Sequence, residues 1–173
     1  MHKKSPHVFV PIPRPGGGVA YIAAGSARCV PEGYRLIRLA ADIAVPGDVE
    51  VAYDVAVSDF ESFDAAHIMA VAPDVLDDLD SGERLFAGCG AGIGRTGTFL
   101  ACLVAHHPAF QAPRGAVEYV RQVYHPGAVE TGDQARLVEA VARRAAFGPS
   151  SAAMPETPRR RTILDRLRGL VRG

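Results

Sequence analysis

Cysteine is scarce in this 173-residue sequence. Cys29, Cys89 and Cys102 stand apart, without the CxxC pairs of a structural zinc site or the density of a secreted disulfide scaffold. Reduced thiols in a cytoplasmic protein are the expectation. Net charge is missing as well: 19 basic residues balance 19 acidic ones, which excludes a global field drawing the chain to nucleic acid or to a membrane surface. No uninterrupted apolar run approaches the ~18 residues of a membrane span. The segment Val8 to Pro15, behind a basic start, is broken by three prolines and holds no signal-peptide apolar region. There is no internal repeat, and none of the six histidines falls into a metal-ligand grouping, so neither a solenoid nor a metal cofactor is expected.

What is present suits one globular domain, with 48% hydrophobic residues. The neutrality divides, however. Residues 148–173 hold six arginines (Arg159, Arg160, Arg161, Arg166, Arg168 and Arg172) against Glu156 and Asp165. That is a tail of net +4 on a body, residues 1–147, of net −4. Gly148 to Pro158 has a linker composition. Beyond it Ile163, Leu164, Leu167, Leu170 and Val171 recur at helical spacing among arginines. Such a tail suits an anionic membrane, an acidic partner, the acidic body itself, or a disordered solubilising end.

Within the body, Val49 to Val57 alternates as a strand does, and Gly18 to Ala23 and Tyr34 to Ala40 are shorter strand candidates. Asp64 to Leu79 has helical spacing, with Pro73 expected to kink or split it. Arg84 to Gly88 reads as a short buried strand, and residues 95–107 as a mostly buried helix. Pro113 suits a first helical position. A capping box, Thr131-Gly-Asp-Gln134, opens the last helix, which runs to about Phe147. The alternation predicts an α/β fold: a central, mostly parallel twisted sheet flanked by helices.

Between the buried strand and the buried helix lies Gly88-Cys-Gly-Ala-Gly-Ile-Gly94, followed by Arg95. Four glycines in seven residues let the backbone adopt positive φ and approach a ligand closely. The amides of Gly90, Ala91, Gly92, Ile93 and Gly94 would converge on an anion, with the positive end of the next helix aimed at the same space. Cys89 opens the loop, where that field favours its thiolate, a nucleophile. Arg95 closes it with a planar fork that can hold two phosphoryl oxygens. A Rossmann reading of Gly92-x-Gly94-x-x-Gly97 puts Arg95 inside the turn, and a Walker A reading lacks its lysine. A glycine-rich packing turn with an incidental cysteine is the bland alternative. Cys-x5-Arg is more specific than any of these.

Cys89-Gly-Ala-Gly92-Ile-Gly-Arg95-Thr96 resembles the signature His-Cys-x-x-Gly-x-x-Arg-Ser/Thr of the cysteine-dependent protein tyrosine phosphatase superfamily, and looks closest to its dual-specificity and atypical branch. The resemblance continues into Thr98-Phe-Leu-Ala-Cys102 and follows the order of elements over about residues 34–147. One position departs. The family's histidine, which shapes the loop and tunes the thiolate, is Gly88 here.

Ester cleavage needs a proton for the leaving oxygen. In the resembling phosphatases an aspartate about thirty residues before the cysteine supplies it, which points to Asp59, with Asp64 and Glu61 as neighbours on the same loop. Thr96 matches the hydroxyl that assists cysteine as leaving group. Gln134, in Pro126-Gly-Ala-Val-Glu130-Thr131-Gly-Asp-Gln134, matches a glutamine that orients the hydrolytic water, and Glu130 would support the arginine loop. The resemblance implies hydrolysis of phosphotyrosine, and of phosphoserine or phosphothreonine, in a protein or peptide through a phosphocysteine, with no cofactor. A catalytically weak phosphate-binding module is the alternative, as is a phosphatase acting on a phosphoinositide or an RNA 5′ phosphate. Cys102 is expected in the core, and Cys29 is a candidate disulfide partner for Cys89.

Overall fold

The computed structural model describes residues 7–59 and 61–147; the basic tail lies outside the described residues. Five strands, β1 (His7–Pro13), β2 (Val19–Ser26), β3 (Arg35–Ala40), β4 (Val51–Val57) and β5 (Leu85–Cys89), form one sheet in the order β1-β2-β5-β3-β4. β2, β5, β3 and β4 are parallel, and β1 runs antiparallel along one edge. Helices α1 (Ala65–Asp80), α2 (Gly94–Val104), α3 (Gly115–Val123) and α4 (Gly132–Phe147) flank the sheet. This is the α/β architecture that the alternation predicts.

β5 occupies the centre, and all five of its residues are buried, as a parallel strand covered on both faces requires. The helix that follows it is buried along its whole length. It packs on β5, α1, α3 and α4. Its start is therefore anchored in the middle of the molecule, and that fixes the place of the Cys89 loop.

Two local expectations, at Pro73 and Pro113, are corrected, and a segment without an expected element is placed. The proline-broken segment after residue 7 is the edge strand β1. Pro11 and Pro13 lie two residues apart, so both nitrogens face the same side, away from β2, and no ladder bond is lost. Tyr119 Oη donates to the Pro11 carbonyl at 3.0 Å, satisfying that outer side. Pro73 neither splits nor ends α1, which is continuous over 16 residues. Pro73 is exposed, while Ile68, Ala72, Val75, Leu76 and Leu79 hold the buried face. Pro113 stands ahead of α3, in a turn closed by the Gly115 N–H on the Ala112 carbonyl at 3.0 Å. Arg114 takes the left-handed conformation (φ 64°) that the third position of a type II turn requires.

The capping box of α4 is as read. Gln134 N donates to Thr131 Oγ1 at 3.2 Å, and Gln134 Oε1 accepts from Glu130 N at 2.7 Å and Thr131 N at 3.4 Å.

Candidate active site

The Cys89 loop leaves the carboxyl end of β5, between β2 and β3, which is where open parallel sheets present ligands. Ser26, paired with Cys89 at the end of β2, donates from Oγ to the Gly90 carbonyl at 2.7 Å and tethers the loop. Gly92 is its one glycine with a positive φ, 75°. A Cβ there would lie 2.4 Å from the Gly25 carbonyl carbon, so both conformation and contact demand glycine. Gly88 and Gly94 serve for room, whereas a Cβ at Gly90 would make only ordinary contacts. Helix α2 begins without a side-chain cap. Its first amides are left for an anion at the positive end of the helix.

Cys89 is buried at the base of this loop, and its amide donates to Thr96 Oγ1 at 3.0 Å. Thr96 thus stands beside the cysteine on the first turn of α2. Tyr124, past the end of α3, donates from its hydroxyl to the Gly92 carbonyl. Burial, and then the charge of Cys89, push the Tyr124 phenol above its ordinary value, so it stays a hydrogen-bond donor. Nothing in the order of residues pointed to Tyr124 as part of the site; the Tyr124–Gly92 bond spans 32 positions.

Arg95 is nearly enclosed, its side chain 6% exposed. Its Nη1 donates to Asp42 Oδ1 and, at 2.9 Å, to the Val57 carbonyl at the end of β4. Its Nη2 lies 3.5 Å from Asp42 Oδ2 and 3.1 Å from Asp59 Oδ1. Burial works against the Arg95 charge, but the hydrogen bond and charge of Asp42, then Cys89 and Asp59, outweigh it and raise its pKa. Asp42, on the turn after β3, is a site residue that sequence reasoning missed.

The three acid candidates separate. Asp59, on the loop after β4, reaches the Arg95 guanidinium and is 59% exposed, open to the mouth of the site. Glu61 folds back to accept from Ser58 N at 3.3 Å. Asp64 is the N-cap of α1, accepting from Ala66 N at 3.2 Å and His67 N at 3.3 Å.

Gln134 is 2% exposed, with its carbonyl oxygen engaged in the cap of α4. Glu130, just before it, packs on the first residue of α2; a Cβ on Gly94 would fall 1.8 Å from Glu130 Oε2. Arg121 holds this connection from α3, donating to the Ala128 and Val129 carbonyls at 2.9 Å each. Gly88 has no room for the family's histidine. A Cβ there would lie 2.9 Å from the Phe86 ring and 3.0 Å from Ala27 Cα. Cys102 is buried, where desolvation raises its thiol pKa, and Cys29 is an exposed free thiol, not joined to Cys89.

Comparisons with known proteins identify the family and the fold. The family model described as "PTP-SAK: Swiss Army Knife protein, DSP-PTPase phosphatase domain" matches residues 49–150, more than half of the chain. None of the curated proteins matches significantly. Among solved structures, the fold is similar to kinase associated phosphatase (TM-score 0.61, 14% identity, covering 85% of this chain and 100% of that one). It is similar also to Tk-PTP in its active form (TM-score 0.56, 20% identity, 73% and 93% covered). A third is PTPMT1 in complex with PI(5)P (TM-score 0.58, 15% identity, 72% and 92% covered). At these identities the likeness is one of fold.

Proposed function

This chain belongs to the Swiss Army Knife family of DSP-PTPase phosphatase domains, and from that premise we propose that it hydrolyses phosphotyrosine, and phosphoserine or phosphothreonine, in proteins through a phosphocysteine. One observation carries the reading: Cys89 lies at the base of a loop of amides closed by a buried arginine, with Asp59 3.1 Å from the same guanidinium.

In the proposed reaction the Cys89 sulfur attacks phosphorus in line with the ester oxygen. The phosphorus–oxygen bond breaks, and Asp59 gives its proton to the departing alkoxide or phenolate. Charge on the equatorial oxygens is met by Arg95 and by the amides of Gly90 to Gly94. Water then attacks the phosphocysteine, Asp59 takes back a proton, and the sulfur leaves with its amide hydrogen-bonded to Thr96. Gln134 has only its amide nitrogen uncommitted for the water, because its oxygen caps α4.

A phosphorylated protein in the cytoplasm is the proposed substrate, and a cofactor has no part in the scheme. Among the described residues no helix is long and apolar enough to cross a membrane. The PTPMT1 complex with PI(5)P supports a second reading, in which the phosphate is carried by a phosphoinositide. The test is release of phosphate from an aryl phosphate, a phosphotyrosyl peptide and PI(5)P vesicles. Cys89→Ser should abolish release, and full activity in that variant would overturn the mechanism. Tight phosphopeptide binding by the wild type without release would instead make the domain a phosphate-reading module.

A further inference from the structure

Apart from the thiol of Cys89, the residues from Gly88 to Gly94 carry no hydrogen-bonding side chain. The glycines that let this loop approach an anion also let its peptide planes rotate, because glycine takes either sign of φ at little cost. A plane turned the wrong way presents a carbonyl oxygen where an anion needs an N–H. The loop therefore depends on other elements to hold its planes.

Two side chains from outside do this. Ser26 Oγ, at the end of β2, donates to the Gly90 carbonyl at 2.7 Å, and Tyr124 Oη, just past α3, donates to the Gly92 carbonyl. The C=O and N–H of a trans peptide point in opposite directions, and every peptide described is trans. A carbonyl drawn to a flanking element thus turns the following amide, that of Ala91 or of Ile93, back into the loop. The Cys89 amide is taken by Thr96 Oγ1, but among the described residues no protein atom accepts from the amides of Gly90, Ala91, Gly92 or Ile93. The Gly92–Ile93 plane is the joint between loop and helix. On one side Gly92 lies against the backbone of Gly25 and Ser26. On the other, the Ile93 carbonyl already accepts from Gly97 N at 2.8 Å as α2 begins.

Tyr124 is itself held to α2. Its N–H closes the last turn of α3 on the Val120 carbonyl at 2.9 Å. Arg121, one turn earlier, binds the Ala128 and Val129 carbonyls, and Ala128 packs on Gly97 of α2, where a Cβ would fall 2.5 Å from Ala128 Cβ. Donor and helix are braced together, so the orientation given to the Gly92 carbonyl is kept relative to the start of α2. Burial and the charge of Cys89 keep the phenol protonated, and a protonated phenol is what this bond requires.

We propose that Tyr124 is a positioning residue of the phosphate site, holding the Gly92 carbonyl outward so that the Ile93 amide stays turned toward an oxyanion in the Cys89 loop. The inference rests on the phosphatase reading for its substrate, but anion binding does not depend on turnover.

The experiment compares wild type, Tyr124→Phe, Tyr124→Leu and Ser26→Ala by tungstate calorimetry, by amide proton–nitrogen spectra with and without tungstate, and by kcat and KM on an aryl phosphate. Tyr124→Phe keeps the ring and removes only the donor. It should weaken tungstate by about 5-fold, the worth of one ordinary hydrogen bond. It should also lower kcat/KM by about 10-fold, chiefly in kcat, because the amide meets charge that grows in the transition state. The tungstate-induced shift of the Ile93 amide should shrink in Tyr124→Phe while that of Ala91 is retained, and Ser26→Ala should show the reverse. Wild-type tungstate affinity in Tyr124→Phe, with loss confined to Tyr124→Leu, would reduce Tyr124 to packing and overturn the proposal. So would equal shrinkage at Ala91 and Ile93 in Tyr124→Phe, the mark of a loop loosened as a whole. Absence of tungstate binding in the wild type would overturn it together with the phosphatase reading. A wild type that binds tungstate with the Ile93 shift but releases phosphate from no ester would sink the catalytic reading and leave the role of Tyr124 standing.

Discussion

Two arginines bound by carboxylates stand at opposite ends of the sheet. At the amino end of β3, Arg35 meets Glu50 at 3.1 Å, Glu83 at 3.3 Å and Asp78 at 4.0 Å. At the carboxyl end Arg95 meets Asp42 and Asp59. Burial lowers both guanidinium pKa values and the surrounding carboxylates more than restore them. The likeness ends there. Arg35 is 28% exposed and its partners tie β3 to the start of β4 and to the turn before β5, a brace in high dielectric that contributes little. Arg95 is enclosed, both of its carboxylates are exposed, and beside it lies a loop of amides around a cysteine. Charge pairing alone does not mark a site. A buried fork next to donors awaiting an anion does.

Lysine substitution sharpens the contrast most. Arg95→Lys should lower kcat/KM on an aryl phosphate by about 10²- to 10³-fold, since an ammonium cannot hold two oxygens in the plane of the fork. Arg35→Lys should leave kcat/KM within about 2-fold, and a comparable loss there would erase the distinction. Next in size, Asp59→Asn should cost about 10²-fold in kcat and remove the alkaline limb of the pH–rate profile. An unchanged profile would return the acid role to Glu61 or Asp64, against their present hydrogen bonds to Ser58 and to α1.

Smaller effects test the packing around the loop. Restoring the family's histidine by Gly88→His should lower stability by about 1–3 kcal/mol in a denaturant titration, because its Cβ meets Phe86 and the Ala27 backbone. A stable and faster variant would show that the strand has room after all. Tyr124→Phe removes one donor from the Gly92 carbonyl and should cost about 1 kcal/mol. The smallest change is expected at the other end. Glu50→Gln should shift stability by less than about 1 kcal/mol, with activity untouched.

Much of this was legible in the order of residues because it is local. The run Arg84 to Gly88, one residue off the observed β5, the glycines before Arg95 and the Thr131–Gln134 capping box each lie within a few residues, where backbone geometry follows from composition. The local rules also misled. Pro73 lies within a helix because its face is exposed, and Pro11 and Pro13 lie within a strand because it is an edge. Both exceptions depend on what surrounds the proline, and the sequence near it does not record that.

Sequence by itself determined the α/β order and the Cys89–Arg95 loop between a strand and a helix; Asp59 as the expected acid, ahead of Asp64 and Glu61, came from the family resemblance. Only the tertiary structure brought Asp42 to Arg95 across 53 positions, set Tyr124 on Gly92 and closed Gly88 to any side chain. The reason is physical: periodicity and capping report interactions along the chain, whereas these contacts are created by the parallel register that stacks the ends of β2, β5 and β3.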